Sequence, residues 1–422
     1  MKKLRIDTAP SLASGVKGSV EVATRSEIAT IGHWEVAFSH QRKDHRYYEL
    51  VEDTLRHGSE HRYIVLKDAR GRVNAIQPFF ILDQDILAGS PRAVRTTARL
   101  VRRWWPGFLK IRTLMAGCAA GEGHLDWSKG PLRRSEVELI AQALRKHAQV
   151  AKARLVVLKE FPSEYREHLH CVTEHTFTRV PSLPMVTLPI DYADFNEYMK
   201  RGISKNMRSH LRRKFRAVAQ YAPIEMSVVT DITGIIDEIY PLYLQVYERS
   251  TLRFEFLTKQ FFCEIGRRMP DKVRFFIWRQ SGKPIAFSLS MVHGDTVYNE
   301  YLGLDYSVAL KLHMYFIVFR DIMSWSIANG YRRNVSTALS YDPKLHLRFK
   351  LAPLDLYVLH TSPIINWILK SALPLLEPTR YDKILPKFSN YEDLWHNPSK
   401  SGDTFYPHAE SVLCKDRSKQ TS

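Results

Sequence analysis

The sequence predicts an α/β or α+β protein of two similar lobes, each a mixed, mostly antiparallel sheet flanked by helices. Three observations predict it. Short runs rich in β-branched and aromatic residues alternate with turn residues in both halves, a long helical segment follows the strands in each half, and a further strand follows each helix. The 422 residues suffice for two or three domains. The order of elements therefore repeats along the chain, although the residues themselves do not.

The first half opens with two strands joined by a turn at residues 68–71. A helix is predicted over 135–150, because apolar residues recur there at three- and four-residue steps. Small residues over 116–123 predict a loop. The strands predicted in this half are 61–67, 73–82, 109–115, 154–160 and 184–190.

The second half repeats this order more clearly. Three strands form a predicted antiparallel meander, and a long helix over 308–329 follows, ended by Gly330. A strand, a short helical piece and a last strand complete the half. In chain order, the predicted elements of this half are 273–279, 284–292, 296–302, 308–329, 331–338, 342–350 and 354–360.

The joint between the halves falls near residues 189–194. The predicted division is a flexible N-terminus, a first lobe, a second lobe that carries the chemistry and a C-terminal helix, and a flexible tail. The corresponding ranges are 1–25, 26–190, 191–395 and 396–422.

The charge balance predicts an anionic partner. The net charge is +18 and the pI about 9.6. Nucleotide phosphates, nucleic acid and an anionic membrane surface are the candidate partners, and a solvated basic surface is the alternative.

The four cysteines are far apart and form no CxxC pair, so neither a zinc site nor a disulfide framework is predicted. A reducing cytoplasm fits this cysteine usage, and no export signal is recognisable.

Two segments of the sequence are relevant to contact with a membrane. The run 364–376 is too short for a membrane span and contains Lys370 and Pro374, so it predicts a packed or interfacial helix. Arginine and tryptophan are mixed over 101–106, which suits peripheral contact with the inner face of a membrane. A packed corner with exposed arginines is the alternative for that segment.

Three stretches of the second half carry a family resemblance. They are the basic helix 204–215, the meander segments 282–287, 294–298 and 301–305, and the pair 328–331 and 341–349. Together they resemble the GNAT acyltransferases, and more narrowly the FemAB-type and CelD-like branch, whose members often carry two lobes in tandem. The resemblance spans about residues 190–360 and implies two tandem GNAT-like lobes.

The resemblance implies transfer of an acyl group from acyl-CoA, as co-substrate, to an amine acceptor. The alternative donor is an aminoacyl-tRNA, as in FemAB-type enzymes of cell-wall or envelope biosynthesis. Ordinary acetyltransferases carry a glycine-rich pyrophosphate loop where this chain has residues 305–311, which contain no glycine. This departure and the strong positive charge favour the aminoacyl-tRNA donor slightly.

GNAT chemistry requires a parted pair of strands, an anion site at a helix N-terminus, and groups that move protons. Glu300 is the candidate general base, with Asp305 as its rival, and the resemblance places Tyr341 near the leaving group. A surface glutamate, a turn-capping aspartate and a buried structural tyrosine are the alternative roles of these three residues.

Phosphate binding is predicted at the start of the long helix, and substrate binding nearby. Ser307, Val308 and Lys311 are the candidate phosphate-binding residues, and a solvated lysine is the alternative for Lys311. The candidate substrate-binding residues are Tyr301, Lys344 and Arg348, of which the last two are spaced to share a helical face.

The basic helix 200–216 has eight Lys or Arg residues and no acidic residue. Its apolar stripe is predicted to face the core, and its basic stripe either faces solvent or contacts a polyanion such as a tRNA backbone.

No helix-turn-helix or zinc-finger pattern is present, so sequence-specific DNA binding is not predicted. His293, His313 and His346 are scattered, and no metal site is predicted.

An alternative from another functional class is a non-catalytic scaffold that docks its basic faces on an anionic membrane. Convergence of the polar residues at the predicted sheet end would argue against that scaffold.

Overall fold

The computed structural model describes residues 5–7, 18–55, 58–85, 110–250, 252 and 255–397. The chain divides into two compact units. The first contains Met1–Ser182, Pro353–Tyr381 and Leu394–Ser422, and the second contains Leu183–Ala352 and Asp382–Asp393. The predicted ranges 26–190 and 191–395 therefore need correction, because residues 183–190 belong to the second unit and Pro353–Tyr381 belongs to the first.

The first unit contains an eight-stranded sheet within the described ranges. Its strands are β1 (Arg5–Asp7), β2 (Ser19–Ala23), β3 (Ser59–Lys67), β4 (Val73–Asp85), β5 (Lys110–Ala116), β6 (Leu155–Pro162), β7 (Thr178–Pro181) and β15 (Leu354–His360). Its α-helices are α1 (Arg25–Ile28), α2 (His45–Thr54), α3 (Arg134–Val150), α4 (Arg166–His175) and α11 (Pro363–Leu376).

The second unit contains a seven-stranded sheet within the described ranges. Its strands are β8 (Met185–Pro189), β9 (Ile224–Val229), β10 (Val273–Gln280), β11 (Lys283–His293), β12 (Thr296–Leu304), β13 (Arg333–Ser336) and β14 (Lys350–Ala352). Its α-helices are α5 (Phe195–Glu197), α6 (Lys205–Val218), α7 (Ile236–Arg249), α8 (Lys259–Arg268), α9 (Met314–Ala328) and α10 (Tyr341–His346).

Both sheets are mixed and mostly antiparallel, as predicted. The strand orders are β1-β2-β3-β4-β5-β6-β15-β7 and β14-β8-β13-β12-β11-β10-β9. Each sheet has one parallel pair, β5 with β6 and β12 with β13, flanked by antiparallel strands. The prediction of two tandem GNAT-like lobes is confirmed by this repeated arrangement.

Each half of the chain contributes one strand to the sheet of the other half: β8 lies in the second sheet and β15 in the first. β7 and β8 follow each other in the chain but belong to different sheets, and so do β14 and β15. β15 lies between β6 and β7, just as β8 lies between β13 and β14. The strand predicted at 354–360 has the predicted bounds but belongs to the first sheet. A run of alternating residues indicates a strand without indicating its sheet.

Three regions at the chain's ends and in its first half bear on the predictions from sequence. The flexible N-terminus predicted at 1–25 is wrong in part, since β2 pairs with β3 from Ser19↔Lys67 to Ala23↔Tyr63. The segment 101–106 and the tail from 398 onward lie outside the described residues.

The basic helix is confirmed as α6. Ser204 caps it, because its hydroxyl accepts a 3.2 Å hydrogen bond from the backbone N–H of Met207. Met207 and Leu211 are buried, whereas Arg212 and Arg216 are exposed. The apolar stripe therefore packs inward, and the basic stripe remains on the surface of the second unit.

The long helix begins later than predicted. α9 starts at Met314, and residues 306–313 form turns instead of continuing the helix. His313 has a left-handed backbone conformation (φ +49°), which interrupts helical geometry just before Met314. The predicted start at Val308 is thus wrong by about two turns.

Candidate active site

The second sheet opens where β12 and β13 part. The two strands pair over four residues, from Thr296↔Arg333 to Asn299↔Ser336. β12 continues to Leu304 and pairs with β11 along its other side. On the β13 side the paired register of β12 ends at Asn299, and residues 300–304 extend past it. A strand that continues in this way can accept an extended ligand by backbone hydrogen bonding.

Asn299 fixes the point at which these strands part. Its side-chain amide donates to the Asn334 side-chain oxygen (2.7 Å) and to the Val335 carbonyl (3.2 Å). Its side-chain oxygen accepts a 3.0 Å bond from the Ser290 hydroxyl. These hydrogen bonds join β11, β12 and β13 at the point where β12 and β13 separate. No pattern in the sequence singled out Asn299, because its partners lie on strands distant in the chain.

Glu300 occupies a β-bulge at the same point. Leu289 pairs with Tyr301 and Ser290 with Asn299, so Glu300 is the extra residue between them. Bulges re-aim a side chain and recur beside active sites. Glu300 is 7% exposed. The predicted base therefore lies beside the parted strands, while the Tyr301 hydroxyl donates a hydrogen bond to the Glu255 carboxylate.

Lys344 is buried beside the end of β13. Its ammonium donates to the carbonyl oxygens of Thr337 (2.6 Å) and Leu339 (2.9 Å). Burial lowers the pKa of Lys344 to about 7. The Thr337 N–H in turn approaches the Asn299 carbonyl at 3.4 Å. Lys344 is therefore linked through Thr337 to the strand that carries Glu300.

Arg348 does not join Lys344 on a helical face. α10 ends at His346, and Arg348 has a left-handed conformation (φ +66°). Lys344 is buried, whereas Arg348 is exposed. The prediction that the two cations share a face is wrong, because it assumed that the helix continued through both residues.

Asp305 holds a turn. Its carboxylate accepts bonds from the Ser307 N–H (3.0 Å), the Ser307 hydroxyl (2.6 Å) and the Lys283 ammonium (3.3 Å). Burial acts to raise the pKa of Asp305, but the bonds from Ser307 and Lys283 outweigh it and lower the pKa below its ordinary value. A carboxylate so occupied is a weak proton acceptor, and the geometry favours the turn-capping role.

Tyr341 supports the fold of the second unit. Its hydroxyl donates a 2.8 Å hydrogen bond to the Pro184 carbonyl, and its ring lies 6.3 Å from that of Phe388. The side chain is buried. These contacts favour the structural alternative over a role beside the leaving group.

The phosphate-binding residues predicted at 307–311 are not at a helix start. Ser307 is engaged by Asp305, and Val308 donates its N–H to the Asp305 carbonyl at 3.1 Å. Lys311 is exposed, with its ammonium 4.7 Å from the centre of the Tyr221 ring. The predicted site loses its physical basis, since residues 306–313 form turns and not the start of a helix.

A basic cluster instead stands at the start of α9. It consists of His210, Arg213, Lys214 and His313. The Lys214 ammonium lies 3.3 Å from Nδ1 of His313, and Arg213 lies 3.2 Å from Nδ1 of His210. Burial and then the neighbouring cations lower the pKa values of His210, Lys214 and His313. A bound anion would favour the protonated forms of these groups, and the start of α9 adds the positive end of a helix dipole.

Comparison with models of known protein families shows to which family the chain belongs. Residues 127–338 match the FemAB-like family model, described as peptidoglycan biosynthesis/recognition. The matched stretch is just over half of the chain. The chain belongs to the FemAB-like family. No match was found among curated proteins.

Solved structures similar to this FemAB-like protein include FemX, at 11% identity and a TM-score of 0.48, covering 76% of this chain and 93% of FemX. L-PGS from Bacillus licheniformis is similar at 11% identity and a TM-score of 0.47, with coverage of 80% and 97%. A tandem GNAT protein from the clavulanic acid biosynthesis pathway is similar at 10% identity and a TM-score of 0.45, with coverage of 82% and 99%.

The first lobe of the FemAB-like protein contains a buried charge cluster that the sequence did not indicate. The Glu122 carboxylate forms ion pairs with Arg42 (2.5 Å) and Lys43 (3.0 Å) and lies 3.2 Å from His124. Burial acts to raise the pKa of Glu122, but the two cations lower it well below its ordinary value. Gly121 has a φ of +100°, which favours glycine, and a Cβ there would lie 2.0 Å from the Lys43 ammonium.

This cluster lies where the first sheet has its own parallel pair. The loop that follows β5 contacts β6. Within this loop, the Gly123 N–H donates a hydrogen bond to the Glu160 carbonyl at 3.2 Å. The loop thus bonds to β6 beyond its last residue paired with β5, Leu158. In the second sheet, β12 continues to Leu304, beyond its last residue paired with β13, Asn299.

Proposed function

We propose that this FemAB-like protein transfers an aminoacyl group from an aminoacyl-tRNA to an amine of a peptidoglycan precursor. The observation that carries the proposal is the parting of β12 from β13, with Glu300 at the bulge and Lys344 beside the end of β13. The family's description supports an envelope substrate.

The reaction forms one C–N bond and breaks one ester C–O bond. The amine of the acceptor attacks the ester carbonyl, and Glu300 takes the proton that the amine loses. Backbone N–H groups of β12 beyond Asn299 would donate hydrogen bonds to the developing oxyanion. Lys344 donates a proton to the departing ribose oxygen. A pKa of about 7 suits Lys344 to that task, because a general acid works best near the ambient pH.

Charge and local geometry support tRNA as the donor. Residues 305–311 lack the glycines of an acyl-CoA pyrophosphate loop and are occupied by the turn that Asp305 caps. The exposed side of α6 carries arginines, and the basic cluster lies between α6 and the start of α9. An RNA backbone presents phosphates over a distance that such a surface can follow.

Acyl-CoA is the second candidate donor, because an open strand edge would accept its extended arm equally well. A thermal-shift comparison of the two donors separates them. We expect charged or uncharged bulk tRNA to raise the unfolding temperature, in a manner that salt weakens, and free coenzyme A and acetyl-CoA to leave it unchanged. Stabilisation by acetyl-CoA alone would replace the proposed donor.

A further inference from the structure

Helix α11 of the first unit presents an apolar surface to solvent. Ile364 is 75% exposed, Trp367 74% and Leu375 66%. Ile365 and Ile368 are also exposed. Positions 364, 368 and 375 fall on one stripe of a helix, and Trp367 borders it. The exposed residues therefore form one continuous patch, unlike the isolated apolar side chains common on protein surfaces.

The opposite side of α11 fixes the helix to the first unit. Leu373 packs against the buried Val157, Val180 and Val358. The Asn366 side chain accepts a 2.8 Å bond from the His360 N–H and donates a 2.9 Å bond to the Thr176 carbonyl. α11 is thus held by its inner side while its outer side remains apolar.

A helix that is apolar on all sides normally lies in a protein interior or in a membrane environment. The 14 residues of α11 extend about 21 Å, which is shorter than the hydrocarbon core of a bilayer. No described helix of the chain is long and apolar enough to cross a membrane. The dimensions suit a helix that lies in the plane of a membrane surface.

The charge around α11 selects an anionic surface. Residues 361–376 contain Lys370, which is exposed, and no acidic residue. Two further exposed cations, Lys152 and Arg154, lie next to the start of the helix, where the Thr361 N–H donates to the Arg154 carbonyl at 2.9 Å. The whole chain carries a net charge of +18. Electrostatic attraction and apolar insertion would therefore act together on this side.

We propose that the outer side of α11 inserts into the headgroup region of an anionic lipid bilayer and holds the protein there as a peripheral membrane protein. Tyr381 extends the inserted surface, since it is 70% exposed and its hydroxyl donates a 2.6 Å bond to the Leu375 carbonyl. Tryptophan and tyrosine favour the membrane interface because each combines an apolar ring with a polar group. This inference is independent of the donor and acceptor proposed above.

Vesicle sedimentation of the full chain tests the proposal. Vesicles of phosphatidylcholine mixed with phosphatidylglycerol should carry the protein into the pellet, and vesicles of phosphatidylcholine alone should carry much less. The double variant Trp367→Ser with Ile368→Ser should lower partition into the mixed vesicles by at least about tenfold. Lys370→Glu should lower it less, and added salt should weaken binding of the unmodified protein.

Leu310→Ser is the matched control, because Leu310 is 74% exposed and lies outside α11. It should sediment like the unmodified protein, and all variants should unfold at similar temperatures. Equal partition of the double variant and the control would overturn the proposal. So would sedimentation velocity that shows a dimer dissociated by the double variant, with no vesicle binding, since a second copy would then cover the helix.

Discussion

The ammonium of Lys344 lies 2.6 Å from the carbonyl oxygen of Thr337, the first residue after β13. Leu339 supplies a second carbonyl at 2.9 Å, and both Leu339 and Ser340 have left-handed backbone conformations. The loop thus turns its carbonyl groups toward a buried amine. Burial disfavours the charged form more than these two carbonyl groups favour it, so the pKa of Lys344 is lowered and the amine loses its proton more readily than an exposed lysine does.

Replacement of Lys344 by Met should change how stability depends on pH. Because the folded pKa of Lys344 is lowered from 10.5 to about 7, the unfolded chain binds more protons than the folded chain between these values. The free energy of unfolding should therefore rise with pH across this window in the unmodified protein, relative to Lys344→Met, by on the order of 3–5 kcal/mol. Urea unfolding at a series of pH values measures the difference.

Lys311→Met is the control for that series, since Lys311 is exposed. It should follow the pH profile of the unmodified protein. A difference between Lys344→Met and the unmodified protein that is constant from pH 7 to pH 10.5 would contradict the lowered pKa.

Glu300→Gln should lower turnover by about a hundredfold or more while donor affinity changes little, because a general base acts on the transition state and not on donor binding. Glu225→Gln, on the exposed side of β9, is the matched control and should retain activity. Single-turnover rates and tRNA binding, measured on the same preparations, separate the two effects. Equal rates for both variants would remove Glu300 from the mechanism.

Lys214→Glu should weaken tRNA binding by about tenfold or more and reduce the dependence of binding on salt, because it removes a cation from the basic cluster. Lys311→Glu makes the same charge change at the position that the sequence favoured, and it should have the smaller effect. Filter binding at several salt concentrations provides the comparison. The reverse order of the two variants would return the phosphate site to residues 307–311.

Glu122→Gln should destabilise the first lobe by about 3–5 kcal/mol, since it leaves Arg42 and Lys43 buried without their carboxylate. Glu138→Gln, which alters a more exposed ion pair with Arg134, should cost less than about 1 kcal/mol. Chemical denaturation of both variants measures the contrast. A small effect at Glu122 would mean that the cluster is open to water.

Most strands and the helices α3, α6, α9 and α11 could be predicted from the sequence, because alternation and helical spacing are local signals. Helix α7, which is as long as α6, was not predicted. The strand at 354–360 shows the limit: its pattern indicated its bounds, but its partners β6 and β7 lie far away in the chain. The start of α9 was misplaced because the left-handed conformation of His313 leaves no mark in a helical pattern.

The positions of the candidate residues relative to the strands could be predicted, but their hydrogen bonding could not. Glu300 and Lys344 lie at the parted strands, whereas Asp305 and Tyr341 have contacts that favour structural roles. Asn299 and Glu122 were missed, since the groups that define them are far away in the chain or on neighbouring strands. Hydrogen-bond partners of this kind depend on topology and not on local residue type.

Transfer of a labelled amino acid tests the central claim most directly. Bulk tRNA charged with labelled amino acids would be incubated with the protein and peptidoglycan precursors, and the label in alkali-stable amide linkage would be measured. We expect amide-linked label with the unmodified protein and its loss in both Glu300→Gln and Lys344→Met. Label that remains on the tRNA, while labelled acetyl groups pass from acetyl-CoA to the same precursors, would contradict the proposed aminoacyl transfer.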